Sequence, residues 1–214
     1  MLKSFLIANP KGGCGKTTLS TNLAGYFARQ GHHVMLGDID RQQSSRAWLK
    51  MRPTSLPTIR SWDIDASDPG KAARPPKDTT HVILDTAAGL HGKKLEVVVK
   101  MVNRVIVPLQ PSIFDILATR DFLDILLAEK AVRSHQAFIS IVGMRVDART
   151  RAAHELERFL DGLGLPVLAY LRDTQTYVQA AAHGMTIFDL SPSRAEKDME
   201  QWRPIIDWVE SPLE

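Results

Sequence analysis

Residues 11–18 read Lys11-Gly12-Gly13-Cys14-Gly15-Lys16-Thr17-Thr18. They lie between an apolar, strand-like run at residues 4–8 and a helical pattern at residues 16–30. Glycines let the backbone N–H groups of such a loop turn towards phosphate oxygens, and the N-terminus of the next helix adds partial positive charge. Lys16 can reach the β- and γ-phosphates of a nucleotide, and the Thr17 hydroxyl can bind Mg²⁺. The stretch therefore predicts a phosphate-binding loop rather than a glycine-rich turn without a ligand.

Apolar runs of strand type alternate with helical patterns along the rest of the chain. Further strands are predicted at residues 33–36, 58–62, 81–84, 104–107, 137–142 and 166–169, and further helices at 113–130, 149–163, 174–183 and 194–209. Strands that are apolar on both faces and alternate with helices are typical of a parallel sheet covered on both sides. The sequence thus predicts an α/β fold with a mostly parallel, twisted sheet and helices on both faces.

The predicted organisation is a single domain over residues 1–214, because this length supports one sizeable core. Residues 52–78 hold five prolines and few periodic apolar positions, so we expect a loop-rich excursion there around the short strand at 58–62. Residues 194–214 are expected to form a C-terminal helix and tail.

The composition is that of a globular protein, with 44% hydrophobic and 24% charged residues. A single cysteine, Cys14, excludes an internal disulfide framework and a cysteine-rich metal site. No apolar window reaches the length of a signal peptide or of a membrane-spanning helix, so a cytoplasmic protein is expected. The net charge of +3 is compatible with a polyanionic partner but is not diagnostic of one.

Three aspartates follow strand-like runs. Asp38 and Asp40 lie within residues 34–43, and Asp85 follows the apolar run at 81–84. The alternation of a strand predicts that Asp38 and Asp40 lie on the same side, beside the phosphate loop. In phosphate-loop proteins, an aspartate at the end of an apolar strand contacts magnesium through a water molecule. One such residue alone would be a solvated carboxylate by default, but three at this spacing favour a functional site.

Together these motifs resemble the ParA/MinD superfamily of ATPases with a deviant Walker A loop, in which a second lysine, here Lys11, opens the loop. The generic G-x-x-x-x-G-K-[ST] pattern fails because Pro10 stands at its first glycine. The family's D-x-D-P-Q segment is matched with Arg41 in place of proline, and its D-x-P-P-G segment with Ala87-Ala88 in place of the prolines. Residues 107–112 and 146–150 extend the resemblance to about residue 190, although Met144-Arg145 replaces the usual asparagine–arginine lead.

The resemblance implies an ATPase that hydrolyses ATP slowly with Mg²⁺ and forms a homodimer with ATP. By this resemblance, Lys16 binds the phosphates, Lys11 reaches the nucleotide of the partner subunit, and Asp40 orients the attacking water. Asp38, Asp85 and Thr17 are the expected magnesium residues. The remaining nucleotide-binding residues are expected to be Gly12, Gly13, Cys14, Gly15, Thr18, Arg172 and Asp173.

Two of these assignments have alternatives. Arg172 follows the last predicted strand, where the family wraps the base, and it either stacks on adenine or faces solvent. Cys14 stands where the family often has valine, and a small packing residue is favoured over a reactive thiol.

The function that the resemblance implies is the partitioning or positioning of DNA or another large cargo. An activating partner, of the ParB type or another adaptor, would stimulate hydrolysis, and the protein would associate with the nucleoid. The chain begins at its first strand, so a short ParA without an N-terminal helix-turn-helix domain is expected. Non-specific DNA binding through phosphate contacts is predicted for Arg194, Lys197 and Arg203.

Other functions of P-loop proteins fit the sequence less well. A MinD-like membrane ATPase would end in a basic amphipathic helix. Here the C-terminal helix has an apolar stripe that is expected to pack on the core, formed by Met199, Trp202, Ile206 and Val209. Pro204 is expected to interrupt this helix. An anionic bilayer would also meet acidic side chains that repel it, namely Asp198, Glu200, Asp207, Glu210 and Glu214. A conjugative-transfer accessory ATPase remains an alternative. A synthetase resembling dethiobiotin synthetase would need a further polar cluster for its substrate, and a nitrogenase-reductase-like iron–sulfur protein would need two further cysteines.

Overall fold

A computed structural model describes residues 2–212, so Met1 and the predicted end of the tail, Leu213 and Glu214, lie outside the described residues. The seven strands are β1 (Lys3–Ile7), β2 (Val34–Asp38), β3 (Ile59–Trp62), β4 (His81–Asp85), β5 (Arg104–Leu109), β6 (Phe138–Gly143) and β7 (Val167–Tyr170). They form one sheet in the order β3-β2-β4-β1-β5-β6-β7, and every neighbouring pair is parallel. The predicted α/β fold is confirmed, and the described sheet is parallel throughout.

The described residues also form eight α-helices, of which the first six lie between strands and the last two follow β7: α1 (Lys16–Arg29), α2 (Ser44–Met51), α3 (Gly92–Val99), α4 (Ile113–Ala128), α5 (Lys130–Arg133), α6 (Arg151–Asp161), α7 (Gln175–Ala181) and α8 (Pro192–Glu210). Short 3₁₀ turns occupy Pro69–Lys71 and Ile187–Asp189. The loop-rich excursion at 52–78 does contain a single strand, β3, which pairs with β2 at the edge of the sheet.

The sheet separates two hydrophobic cores. Successive residues of β1 point to opposite faces, so Leu6 belongs to one core while Phe5 and Ile7 belong to the other. Buried residues of α3, α4 and α6 complete the first core, and those of α1, α2 and α8 complete the second. This two-sided burial explains why the strands are apolar on both faces.

Three helices were not predicted from the sequence: α2, α3 and the four-residue α5, of which only Lys130 lay in a predicted helix. α2 and α3 have eight residues each and bury only a few of them, so neither carries a long apolar period. Both start with an unusual backbone: Gln43, which precedes α2, has φ 50°, and Gly92 at the start of α3 has φ 58°.

The prediction that Pro204 interrupts the C-terminal helix was wrong. α8 runs from Pro192 to Glu210 with Pro204 inside it. Pro204 is exposed, as is Glu200, whose carbonyl would otherwise accept the missing N–H, so water can solvate that carbonyl. The apolar stripe does pack on the core as expected, since Trp202 and Val209 are fully buried.

The end of α8 is held by two cations from the sheet. Lys3 Nζ donates to the carbonyls of Val209 and Glu210 at 3.2 and 2.7 Å. The buried guanidinium of Arg104 donates to the carbonyls of Trp208 and Ser211. Cations beside the last carbonyls of a helix favour its C-terminal end. Among residues 2–212, no helix is long and apolar enough to cross a membrane.

Candidate functional site

The loop between β1 and α1 surrounds an open cleft. Gly13 and Gly15 have φ values of 78° and 100°, a left-handed conformation that side chains with a Cβ rarely adopt. A Cβ on Gly12 or Gly13 would meet nothing within 4 Å, so the loop faces open space. No side chain caps the N-terminus of α1, and its first turn holds no acidic residue. The unpaired N–H groups of this helix therefore form a site for an anion.

Lys16 supplies a cation inside this loop. The residue is only 8% exposed, and its Nζ donates to the carbonyl oxygen of Lys11 at 2.7 Å. Nζ also lies 3.7 Å from the sulfur of Cys14. Burial raises the pKa of the Cys14 thiol, so the thiol stays protonated. This favours the interpretation of Cys14 as a small packing residue.

Two side chains that were not predicted hold the loop in shape. The Asn9 amide donates to the Pro108 carbonyl and to Thr119 Oγ1, both at 2.8 Å, while its Oδ1 accepts the Lys11 N–H at 2.8 Å. Gln110 Nε2 donates to the Gly13 carbonyl at 2.8 Å. Both residues follow the carboxyl ends of strands, the edge where parallel sheets bind ligands. That position is the signal that could have identified them.

The cleft has a volume of about 490 Å³, and its walls come from the segments that follow β1, β2, β4 and β6. Its lining residues are Gly12, Gly13, Gly15, Lys16, Thr17, Thr18, Asp40, Gln42, Ser44, Thr86, Ala87, Ala88 and Arg145. The predicted Asp40 thus lies with the phosphate loop, and its Oδ1 accepts the Gln42 N–H at 2.9 Å.

Asp85 lies at the end of β4, beside the first turns of α1. Ser20 Oγ donates to Asp85 Oδ1 at 3.1 Å, and the carboxylate is buried. Loss of solvation raises the pKa of Asp85 to about 7; the hydroxyl of Thr17 opposes this rise and the charge of Asp38 adds to it. A buried carboxylate beside a hydroxyl and a phosphate loop is the kind of oxygen ligand that Mg²⁺ takes, directly or through water.

Asp38 is oriented differently from Asp40. β2 ends at Asp38, the Ile39 N–H still donates to the Asp85 carbonyl, and the chain bends at Asp40. The Asp38 carboxylate accepts hydrogen bonds from the start of α2, from Ser45 and Arg46, and it is not among the residues that line the cleft. The prediction that both carboxylates lie beside the phosphate loop is therefore wrong for Asp38, whereas Asp40 does line the cleft.

A second cleft, of about 290 Å³, adjoins Gly15 and Thr18. The predicted Arg172 and Asp173 line it, together with Thr174 and Tyr177. The Arg172 guanidinium is held by an ion pair, because Nε and Nη2 donate to the two carboxylate oxygens of Asp198 at 2.7 and 3.1 Å. Asp198 is fully buried, so the prediction that it is one of the acidic residues an anionic bilayer would meet was wrong.

Arg145 connects the two clefts and was not among the predicted site residues. It lines both, and its backbone has a left-handed φ of 53°. Its Nε lies 3.9 Å from Asp173 Oδ1, and the side chain remains 61% exposed. A non-glycine residue in this conformation at the end of a strand often belongs to a functional site.

The three cations predicted to bind DNA do not share one face of α8. Arg203 follows Arg194 by nine residues, about two and a half turns, so the two lie on opposite sides of the helix. Arg194 donates to Gln179 on α7 at 3.3 Å, and Lys197 is exposed on the same flank. Arg203 lines a groove with Glu196 and Glu200 instead.

A nucleotide fits this arrangement. The open glycine loop, the uncapped helix N-terminus and the buried Lys16 suit phosphate groups, and the adjoining cleft suits a base. Among residues 2–212 no group of three or more histidine, cysteine or acidic side chains could hold a metal ion. A magnesium ion would therefore combine Thr17 and a carboxylate with phosphate oxygens, as is usual for Mg²⁺.

The parallel sheet with this loop at its central strand defines a P-loop nucleotide-binding protein. The family model CbiA, described as the CobQ/CobB/MinD/ParA nucleotide binding domain, matches residues 5–187, and the chain belongs to this family.

Several known proteins are similar to the chain. The maintenance of carboxysome distribution protein A of Halothiobacillus neapolitanus is 27% identical over 193 residues, which is 87% of each chain. The ATP complex of a McdA variant from Cyanothece has a TM-score of 0.75 at 16% identity and covers 95% of this chain and 96% of its own. The MinD cell division protein of Aquifex aeolicus has a TM-score of 0.72 at 17% identity, with 99% of each chain covered. At these identities the solved structures show a shared fold.

The raised pKa of Asp85 predicts how stability depends on pH. An unfolded aspartate ionises near 3.8, whereas folded Asp85 ionises near 7, so between these values only the folded protein keeps the proton. The contribution of Asp85 to the free energy of unfolding should therefore fall as the pH rises from 4 to 8. The Asp85→Asn variant should not show this fall. The free energy of unfolding of the variant minus that of wild type should therefore increase over that range, by at most about 4 kcal/mol.

Urea unfolding of the nucleotide-free protein at a series of pH values measures this difference. His81, whose pKa burial lowers to about 3, is present in both proteins and cancels. Asp124→Asn, which neutralises an exposed carboxylate on α4, is the control and should run parallel to wild type. A parallel profile for Asp85→Asn as well would show that Asp85 is ionised in the folded protein at neutral pH.

Proposed function

We propose that the chain is a positioning ATPase that dimerises when it binds Mg²⁺-ATP and separates after slow hydrolysis. The observation that carries the proposal is the different placement of its two loop lysines. Lys16 is buried and points into its own loop. The Lys11 ammonium makes no hydrogen bond or ion pair within residues 2–212, although the backbone of Lys11 is fixed by Asn9 and Lys16.

In this proposal, Lys16 compensates the charge of the β- and γ-phosphates inside its own subunit. Lys11 projects from the same loop and reaches the nucleotide of a second subunit, as the family resemblance implies. An added cation at the γ-phosphate stabilises the charge that spreads over the phosphoryl oxygens during transfer. ATP thereby links two subunits, and hydrolysis weakens the link.

The other site residues have separate roles. Thr17 and Asp85 are proposed to hold Mg²⁺, which would neutralise phosphate charge and orient the β- and γ-phosphates. Asp40 lies in the cleft and is the residue proposed to orient the attacking water. The cleft formed by Arg172, Asp173 and Tyr177 is proposed to take the adenine, with Arg172 held in place by Asp198.

The cargo is proposed by analogy with the relatives. The name of the Halothiobacillus relative describes maintenance of carboxysome distribution, which supports a role in positioning a large object. We propose that the ATP-bound dimer is held on the nucleoid by non-specific DNA contacts and that an adaptor protein on the cargo stimulates hydrolysis. Arg194 and Lys197 are the better candidates for phosphate contacts, because acidic residues surround Arg203.

The two lysines offer a matched pair of variants. Lys16→Ala should abolish ATP binding, because Lys16 is the buried cation of the loop. Lys11→Ala should keep ATP binding within a few-fold of wild type but lose ATP-dependent dimerisation. Isothermal calorimetry measures the first property, and light scattering with and without ATP measures the second. Wild-type ATP affinity in Lys16→Ala would contradict the assignment of the loop.

A second variant tests the catalytic aspartate. Asp40→Ala should bind ATP and dimerise, but its hydrolysis should be slower by about 10²-fold or more, because the water loses its orienting carboxylate. Phosphate release under single-turnover conditions measures the rate. Asp121→Ala, at an exposed carboxylate on α4, is the control and should hydrolyse ATP normally. An unchanged rate in Asp40→Ala would move this role to another group.

DNA binding is tested with the non-hydrolysing Asp40→Ala dimer in a mobility-shift titration. With ATP it should retain duplexes of any sequence, and its affinity should fall with salt at a log–log slope of about −0.9 per phosphate contacted. Arg194→Ala/Lys197→Ala should weaken binding to all duplexes and flatten this slope, whereas Arg203→Ala should have a smaller effect. Retention on anionic liposomes instead of DNA would replace this proposal with a MinD-like membrane ATPase.

A further inference from the structure

The Asp38 carboxylate is buried and accepts four hydrogen bonds from the protein itself. Its Oδ2 accepts the Ser45 N–H at 2.9 Å, the Ser45 hydroxyl at 2.8 Å and the Arg46 N–H at 3.2 Å. Its Oδ1 accepts the Asp40 N–H at 2.9 Å. Four hydrogen bonds from the protein thus end on this carboxylate, three of them on Oδ2. Asp38 is also only 5% exposed, and it is not among the residues that line the cleft.

The start of α2 depends on this carboxylate. The residue before the helix, Gln43, has a left-handed φ of 50°, and its side chain does not cap the helix. The first turn of α2 contains no acidic residue of its own. The first N–H groups of a helix have no partner within the helix, and a negative charge beside them is favourable. Asp38, at the end of β2, therefore takes the place of the missing local cap.

The same carboxylate also fixes Asp40. Through Oδ1 it holds the Asp40 N–H, and the Asp40 carbonyl accepts the Gln43 N–H at 3.1 Å. Asp40 and the start of α2 are thus joined to one buried group. The far end of α2 is also fixed, because the Arg52 guanidinium lies 5.6 Å from the centre of the Trp48 ring and 3.0 Å from buried Asp189.

We propose that Asp38 is a positioning residue, which caps α2 and sets the position of Asp40 in the cleft, and that it does not bind magnesium. This inference rests on the proposed ATPase function for its effect on catalysis. It replaces the magnesium role that the family resemblance implies for Asp38. The capping itself is a property of the protein without nucleotide.

Three variants and one control separate the two roles. Asp38→Ala removes every acceptor, Asp38→Asn keeps one acceptor oxygen without the charge, and Ser45→Ala removes one donor while leaving the carboxylate intact. Thr150→Ala is the control, because Thr150 Oγ1 caps α6 by accepting the Ala153 N–H at 3.2 Å outside both clefts. Ser45→Ala is the milder change and keeps the test usable if Asp38→Ala does not fold.

Amide hydrogen exchange of the nucleotide-free protein tests the cap. Exchange at residues 44–47 should become about fivefold faster or more in Asp38→Ala, with smaller increases in Asp38→Asn and Ser45→Ala. In Thr150→Ala the change should be confined to the first turn of α6. Unchanged exchange at 44–47 in both Asp38→Ala and Ser45→Ala would overturn the proposal, even if the protein hydrolysed no ATP.

The magnesium dependence of ATP hydrolysis tests the positioning role. Ser45→Ala and Asp38→Ala should lower kcat while the Mg²⁺ concentration at half-saturation stays within about twofold of wild type, and Asp38→Asn should recover part of kcat. Thr150→Ala should change neither value. A tenfold rise in half-saturating Mg²⁺ in both Asp38 variants, with wild-type kcat in Ser45→Ala, would make Asp38 a magnesium ligand and overturn the proposal. A wild-type protein without ATPase activity would contradict the proposed function instead.

Discussion

The unpaired N–H groups at the start of α1 are the feature on which the site depends. They follow β1, which lies in the middle of the sheet with β4 on one side and β5 on the other. The chain crosses from β4 to β5 around β1, so the loops after these strands diverge and leave a cleft above it. Gly15 lets the chain enter the helix in a left-handed conformation and provides no side chain to cap it. An anion is the natural partner of such a helix end.

Charges of opposite sign are buried around this helix end. Lys16 lies inside the loop, while Asp38 and Asp85 sit at adjacent positions of the neighbouring strands β2 and β4. Burial opposes the ionisation of Asp85, and the nearby charge of Asp38 adds to that opposition. A carboxylate held in this way reduces stability at neutral pH, and a bound cation would relieve the cost. Such sites are retained for binding rather than for stability.

The two sides of the cleft are held in different ways. On the phosphate-loop side, Asn9 and Gln110 fix the backbone through bonds to neighbouring loops. On the other side, α2 is held at its start by Asp38 and at its end through Arg52. The segment between them that carries Asp40 is short and partly exposed. The backbone of Asp40 is nevertheless fixed, because its N–H donates to Asp38 and its carbonyl accepts the Gln43 N–H, which suits the proposed role of orienting a water molecule.

The sequence by itself determined the class of fold and the phosphate loop. Short apolar runs between helical patterns can be recognised from neighbouring residues alone, as can a run of glycines with two lysines, so seven strands and the loop at 11–18 could be predicted. It could not predict α2, because the cap of this helix comes from Asp38, outside the helix pattern. It also placed both Asp38 and Asp40 beside the phosphate loop by strand alternation, whereas the Asp38 carboxylate bonds to the start of α2 and Asp40 lines the cleft. Only the tertiary structure decided the roles of Arg145, Asn9 and Asp198, because their partners are distant in the chain. A hydrogen bond or an ion pair between distant residues leaves no periodic signal in the sequence.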